Sequence, residues 1–159
     1  MTLPTEQELV QAAQTIRQSD LIYKKGYKYQ IIRDCDFNLP FGPDADWSGD
    51  WITFLRDGTL IAHAGYAWDG PSGPTFDTDD FMAGSLAHDM LYQLMGIGVL
   101  SADKFRKLAD QILVDVCKED GMPAIRRAWV YVGVRVGGAR PARQGDTIFT
   151  IKKGMHHGR

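Results

Sequence analysis

The chain has 159 residues, of which 44% are hydrophobic and 24% charged, with a formal net charge of −2. That length fits about one domain, and the composition excludes wholesale disorder and collagen-like structure. No apolar run approaches the ~18–20 residues of a membrane helix, and the N-terminus shows no basic and apolar leader typical of a secretory signal.

Two cysteines, Cys35 and Cys117, are too few for a disulfide framework and form no CxxC zinc pair. Charge is unevenly spread. Asp34 to Asp89 holds eleven aspartates and a single base, Arg56, whereas Arg135 to the end holds six bases and one acid, Asp146. Short carboxylates in loops are the ligands that hard cations such as calcium use, although aspartate is also a common turn former. Neither charge nor motif gives a nucleic-acid signature.

In chain order, residues 5–18 read as an N-terminal helix, with Thr5 and Glu8 forming a capping box and Leu9, Ala12, Ala13 and Ile16 on one face. Residues 21–33, rich in Tyr and Ile, read as one or two strands. Asp34 to Asp50, with Pro40, Gly42, Pro43 and Gly49, reads as a loop. Trp51 to Arg56 and Thr59 to Ala64 flank Asp57-Gly58, which predicts a β-hairpin with a type I′ turn.

Gly65 to Asp80 is a Gly/Pro/Asp loop of the kind that presents carbonyls and carboxylates. Three helices follow: Asp80 to Met95, Ser101 to Glu119 with Ser101 as N-cap, and Pro123 to about Val136. The tail from Gly137 is basic, with a short strand expected over Thr147 to Lys152. The whole reads as one α+β domain over 1–159: a small antiparallel sheet packed with three C-terminal helices and an N-terminal helix.

The chemistry-bearing residues fall on two of these helices. His88 and Tyr92 are four apart and share a face, and Asp89 lies about 100° around. Gly84, costly in a helix interior, suggests close approach of another backbone or a ligand. The short connection Gly96 to Leu100 makes the two helices antiparallel neighbours, so Asp110 can face His88. A carboxylate on one imidazole nitrogen frees the other to act as a base.

The same geometry also suits a histidine bonded for packing alone, with Tyr92 a core aromatic and Asp110 paired to Arg106. His63 has no evident partner, and His156-His157 suits a disordered end better than a ligand pair.

Two resemblances attach to these residues. Gly65-Tyr66-Ala67-Trp68-Asp69-Gly70-Pro71-Ser72-Gly73-Pro74, Ala87-His88-Asp89-Met90-Leu91-Tyr92 and Ala109-Asp110 resemble the phage and prophage proteins of domain-of-unknown-function family 1353. The likeness covers roughly residues 50–138 and leaves 139–159 as a basic tail. It departs at Leu113, with an aromatic expected one place earlier at Ile112, and in the long N-terminal helix. It implies a phage or bacterial-host partner and a place in the virion or host cytoplasm.

The second likeness is local. The His-Asp-x-x-Tyr helix after a Gly-rich loop is similar to the secreted phospholipase A2 pattern. That resemblance implies His88 as the base that activates water, Asp110 as its orienting carboxylate, and Tyr92 bonded to Asp110. It also implies Ca2+ held by Asp89 and the carbonyls of Trp68, Gly70 and Ser72. Those enzymes are disulfide-rich and secreted, and this chain shares neither feature. The expectation is a small metal-assisted hydrolase of an ester or cell-envelope bond. The other reading is a non-catalytic virion or host-interaction protein with a structural His-Asp-Tyr network.

Overall fold

A computed structural model describes residues 23–24, 29–70 and 78–137. Its architecture is α+β: two small antiparallel sheets followed by three helices. The three-stranded sheet runs β1 (Tyr23–Lys24), β2 (Tyr29–Ile31), β7 (Ala67–Trp68). The four-stranded sheet has the order β3 (Cys35–Asn38), β6 (Thr59–Ala62), β5 (Ile52–Phe54), β4 (Trp47–Ser48). The expected helix over 5–18 and strand over 147–152 lie outside the described residues.

Two expectations about the sheet need correction. Asp34 to Asp50 is not all loop, because Cys35–Asn38 pairs with Thr59–Ala62, and Trp47–Ser48 with Ile52–Phe54. Cys35 and Phe37 alternate inward while Asp36 and Asn38 face outward, a period-2 pattern that makes a half-buried strand. The hairpin is present, but its turn is not type I′. That turn needs positive φ at both central residues, and among the described residues no non-glycine has positive φ. Instead Gly58 N–H donates to the Leu55 carbonyl and Gly58 alone takes φ +95°. This is the three-residue loop closed by a left-handed glycine.

The helices are α1 (Asp79–Gly96), α2 (Ala102–Glu119) and α3 (Ala124–Gly137). Ser101 takes the N-cap position of α2 with extended backbone, but its side chain makes no capping bond. Helix α1 is buried on most of its surface, as a helix does when it lies between a sheet and another helix. Ala83, Leu86, Ala87, Met90, Leu91 and Leu94 join Phe37, Phe54 and Leu60 of the sheet in one core.

Gly84 explains how closely α2 approaches. A Cβ there would sit 2.8 Å from the Leu113 carbonyl oxygen and 2.7 Å from Cys117 Sγ. The glycine thus admits a neighbouring backbone, and the helix–helix spacing depends on it. Helix α3 closes a smaller cluster through Val130, against Phe81, Leu113, Cys117 and Met122.

Candidate active site

Contacts between α1 and α2 run in opposite directions along the two helices. Gly84 meets Leu113 and Cys117, while His88 and Tyr92 meet Asp110. This antiparallel packing brings together residues 22 apart in sequence. His88 Nε2 lies 2.8 Å from Asp110 Oδ1, and the Tyr92 hydroxyl donates to the same oxygen at 2.7 Å. A carboxylate only accepts, so Nε2 carries the proton. The four-residue spacing of His88 and Tyr92 stacks their rings at 4.2 Å between centroids. The dyad geometry expected from the helix pair is therefore present.

Sequence reasoning missed the fourth member. Arg135, from α3, donates through Nη1 to Asp110 Oδ2 at 2.8 Å. Asp110 is fully buried, so all of its compensation comes from these three donors on two other helices. The anticipated alternative, an Arg106–Asp110 ion pair, gives way to this one. Arg106 Nη2 instead donates to the Arg135 carbonyl at 3.0 Å and so holds the end of α3. No local pattern in the sequence singles out Arg135, which is one of three arginines in α3.

Electrostatics follow from this arrangement. Burial works against a charged His88, but bonds to Asp110 and Asp89 outweigh it and raise the imidazole above its ordinary value. Burial likewise favours a neutral Asp110, yet hydrogen bonds from His88, Tyr92 and Arg135 hold its carboxyl below the usual range. The Tyr92 phenol is pushed up to about 12, first by burial and then by its bond to Asp110. With Nε2 committed to Asp110, His88 turns Nδ1 toward Asp89, whose Oδ1 is 3.8 Å away.

The strand entering the loop lies along α1. Trp68 Nε1 donates to Ser85 Oγ at 3.1 Å, and the Tyr66 hydroxyl to Gln93 Oε1 at 2.8 Å, so these two anchors bracket His88 and Asp89. Burial and then the charges of Asp89 and Asp69 raise the Tyr66 phenol. Gly70 takes φ +78°, and a Cβ there would strike the Tyr29 ring at 2.4 Å. Its glycine therefore has a packing reason of its own.

Ser72 and the rest of the loop through Asp77 lie outside the described residues. Among the described residues no group of three or more His, Cys, Asp or Glu side chains could hold a metal ion. One carboxylate with backbone carbonyls is a different donor set, and Asp89 with the carbonyls of Trp68 and Gly70 would supply the hard oxygens that calcium takes.

His63, expected without a partner, has two. Its Nδ1 lies 3.1 Å from Asp34 Oδ2, and its Nε2 lies 2.9 Å from Thr53 Oγ1, which in turn meets Ser48 Oγ at 2.8 Å. Asp34 also accepts the Ala64 N–H at 2.7 Å. Both contacts to Asp34 span about thirty residues of sequence and no local pattern announces them.

No family model, no curated protein and no solved structure matches this chain.

Proposed function

We propose that the protein is a small metal-assisted hydrolase of an ester or cell-envelope bond, working in a phage or prophage setting. The phage context rests on the family resemblance of the 65–74, 87–92 and 109–110 segments. The observation that carries the chemistry is the division of labour at His88: Asp110 takes Nε2 at 2.8 Å, which leaves Nδ1 on the Asp89 side as the base.

In this reading Nδ1 removes a proton from water as the water attacks the carbonyl, and the imidazolium then returns that proton to the leaving alcohol oxygen as the ester bond breaks. Asp110 orients the ring and stabilises the imidazolium that forms. Tyr92 and Arg135 keep Asp110 ionised and fixed. Asp89 and the carbonyls of Trp68, Gly70 and Ser72 would hold Ca2+, which when bound polarises the reacting carbonyl. A negative Asp89 beside Nδ1 favours the protonated ring, so neutralising Asp89 makes the base more available near neutral pH.

The test is hydrolysis of phospholipid vesicles and of a soluble short-chain ester, with and without millimolar calcium. His88→Gln should lose about 100-fold or more of any activity, the usual range for a general base. Wild-type protein that hydrolyses neither substrate, or a His88→Gln rate equal to wild type, removes the proposal.

A second reading has its own support. Both oxygens of a fully buried Asp110 are occupied, and its three donors tie together all three helices. A satisfied buried network of that kind specifies packing. In this reading the protein is a non-catalytic virion or host-interaction component, and millimolar calcium, magnesium and manganese all leave its melting temperature unchanged. In the hydrolase reading, calcium at a hundredfold excess over Kd adds about 2.7 kcal/mol.

A further inference from the structure

Helix α3 is apolar on the wrong side for a lone molecule. Its single fully buried residue is Val130. Ile125, Trp129, Val132 and Val136 are 79%, 74%, 54% and 76% exposed. Their spacing of four, three and four residues puts them in one stripe, the a/d pattern of a helix seam.

All three arginines of α3 turn away from that stripe. Arg126 bonds Asp80, Arg127 the Met122 carbonyl and Arg135 Asp110. The outer face therefore carries no charge along its length. Ala128 and Gly133, both small and exposed, flank the seam, and a Cβ added at Gly133 meets nothing within 4 Å.

We infer that this face binds the same face of a second copy, antiparallel, as the interface of a two-fold symmetric dimer. The positions are self-complementary under that operation. With α3 reversed, Ile125 falls opposite Val136 of the other copy, and Trp129 opposite Val132, so each large side chain meets an aliphatic one in the same layer. An interface of this kind needs one patch that fits itself.

Electrostatics do not oppose it. Two uncharged faces approach without repulsion, and reversing one helix sets the positive end of each macrodipole beside the negative end of the other. Covering the stripe in both copies removes on the order of 1,000 Å² of surface, near the lower bound for a specific interface. The small flanking residues allow the helix axes to come close enough for Trp129 to insert. The surface is separate from the His88 chemistry and stands whether or not that chemistry does.

The test uses the full 159-residue chain in sedimentation equilibrium from about 1 to about 100 µM. Wild type should pass from monomer to dimer over this range. Trp129→Glu and Val132→Lys should each weaken the dimer by about 30-fold or more, as a central anchor does. Circular dichroism should be unchanged, since both side chains face outward. Mixing the two variants should restore a dimer, because residue 129 of one copy faces residue 132 of the other.

Wild type that stays monomeric at the top concentration overturns the inference, as does a mixture that fails to pair. A monomer that sediments with anionic lipid vesicles through Trp129 would assign the face to a membrane surface instead. A monomer whose melting temperature falls on Trp129→Glu would show that the face is covered by the chain's own residues.

Discussion

Among the described residues, two histidine–aspartate hydrogen bonds lie in opposite surroundings. His88 and Asp110 lie between helices, with side chains 12% and 0% exposed; His63 and Asp34 lie at the four-stranded sheet, 30% and 60% exposed. The contact distances are similar, 2.8 and 3.1 Å. What differs is the solvent that each aspartate has lost. Water screens and solvates Asp34, so the pair there contributes little. Asp110 has no water, and three protein donors must replace it. An ion pair's worth is set by desolvation and by the number of donors far more than by its length.

The largest expected effect tests that contrast directly. Asp110→Ala removes the acceptor shared by three helices and strands a guanidinium, a phenol and an imidazole. Urea denaturation should show a loss of about 3–5 kcal/mol. If Asp110→Ala and Asp34→Ala cost the same, desolvation does not set the worth of these two pairs.

Gly84→Ala sharpens the comparison by changing the burial rather than the charges. The added methyl meets the Leu113 carbonyl and Cys117 Sγ. Overpacking of about 1–3 kcal/mol should outweigh the ~1 kcal/mol that alanine gains over glycine in a helix. A more stable Gly84→Ala protein would show that α1 and α2 are free to move apart. At the sheet, Asp34→Ala should cost no more than about 1 kcal/mol.

The next effect depends on pH. His88 is raised above 6.5 in the folded chain, so its contribution is complete below about 6.5 and is lost as pH rises through the folded value. Asp110 is held below 3.8, so its contribution is present above about 3.8 and is lost as pH falls through the folded value. The pair therefore supports the fold most between these limits. Thermal melts from pH 5 to 9 should show a decline in the wild type above pH 6.5 that is absent in His88→Gln. A flat wild-type profile would contradict the raised imidazole.

The smallest effect is that of Asp89→Asn, which should lower the His88 titration midpoint, as followed by NMR, because a second source of positive shift is gone.

What was legible in the sequence had short range. The i, i+4 pair His88–Tyr92, the Asp57-Gly58 hairpin and the three helices each follow from a local period or a turn residue. Asp110 facing His88 was also legible, because a five-residue connection leaves two helices little choice but to run antiparallel. Arg135 was not, because α3 reaches Asp110 by tertiary packing alone. Strands β3 and β4 hid among prolines and glycines, since runs of four and two residues are too short for a period to stand out. His63 and Asp34 meet only because β3 pairs with β6, a register that no nearby residue encodes.

Each half of the molecule also encloses one thiol. Cys35 sits in the sheet and Cys117 beneath Gly84 between the helices, both buried thiols outside any disulfide. Burial pushes the Cys117 thiol up to about 12, so it stays protonated and unreactive while the helices are closed. Alkylation of either cysteine then proceeds only through an opening of its own region. The two labelling rates form a pair of internal clocks, one for the sheet and one for the helical layer, that time the breathing of each half without any substitution.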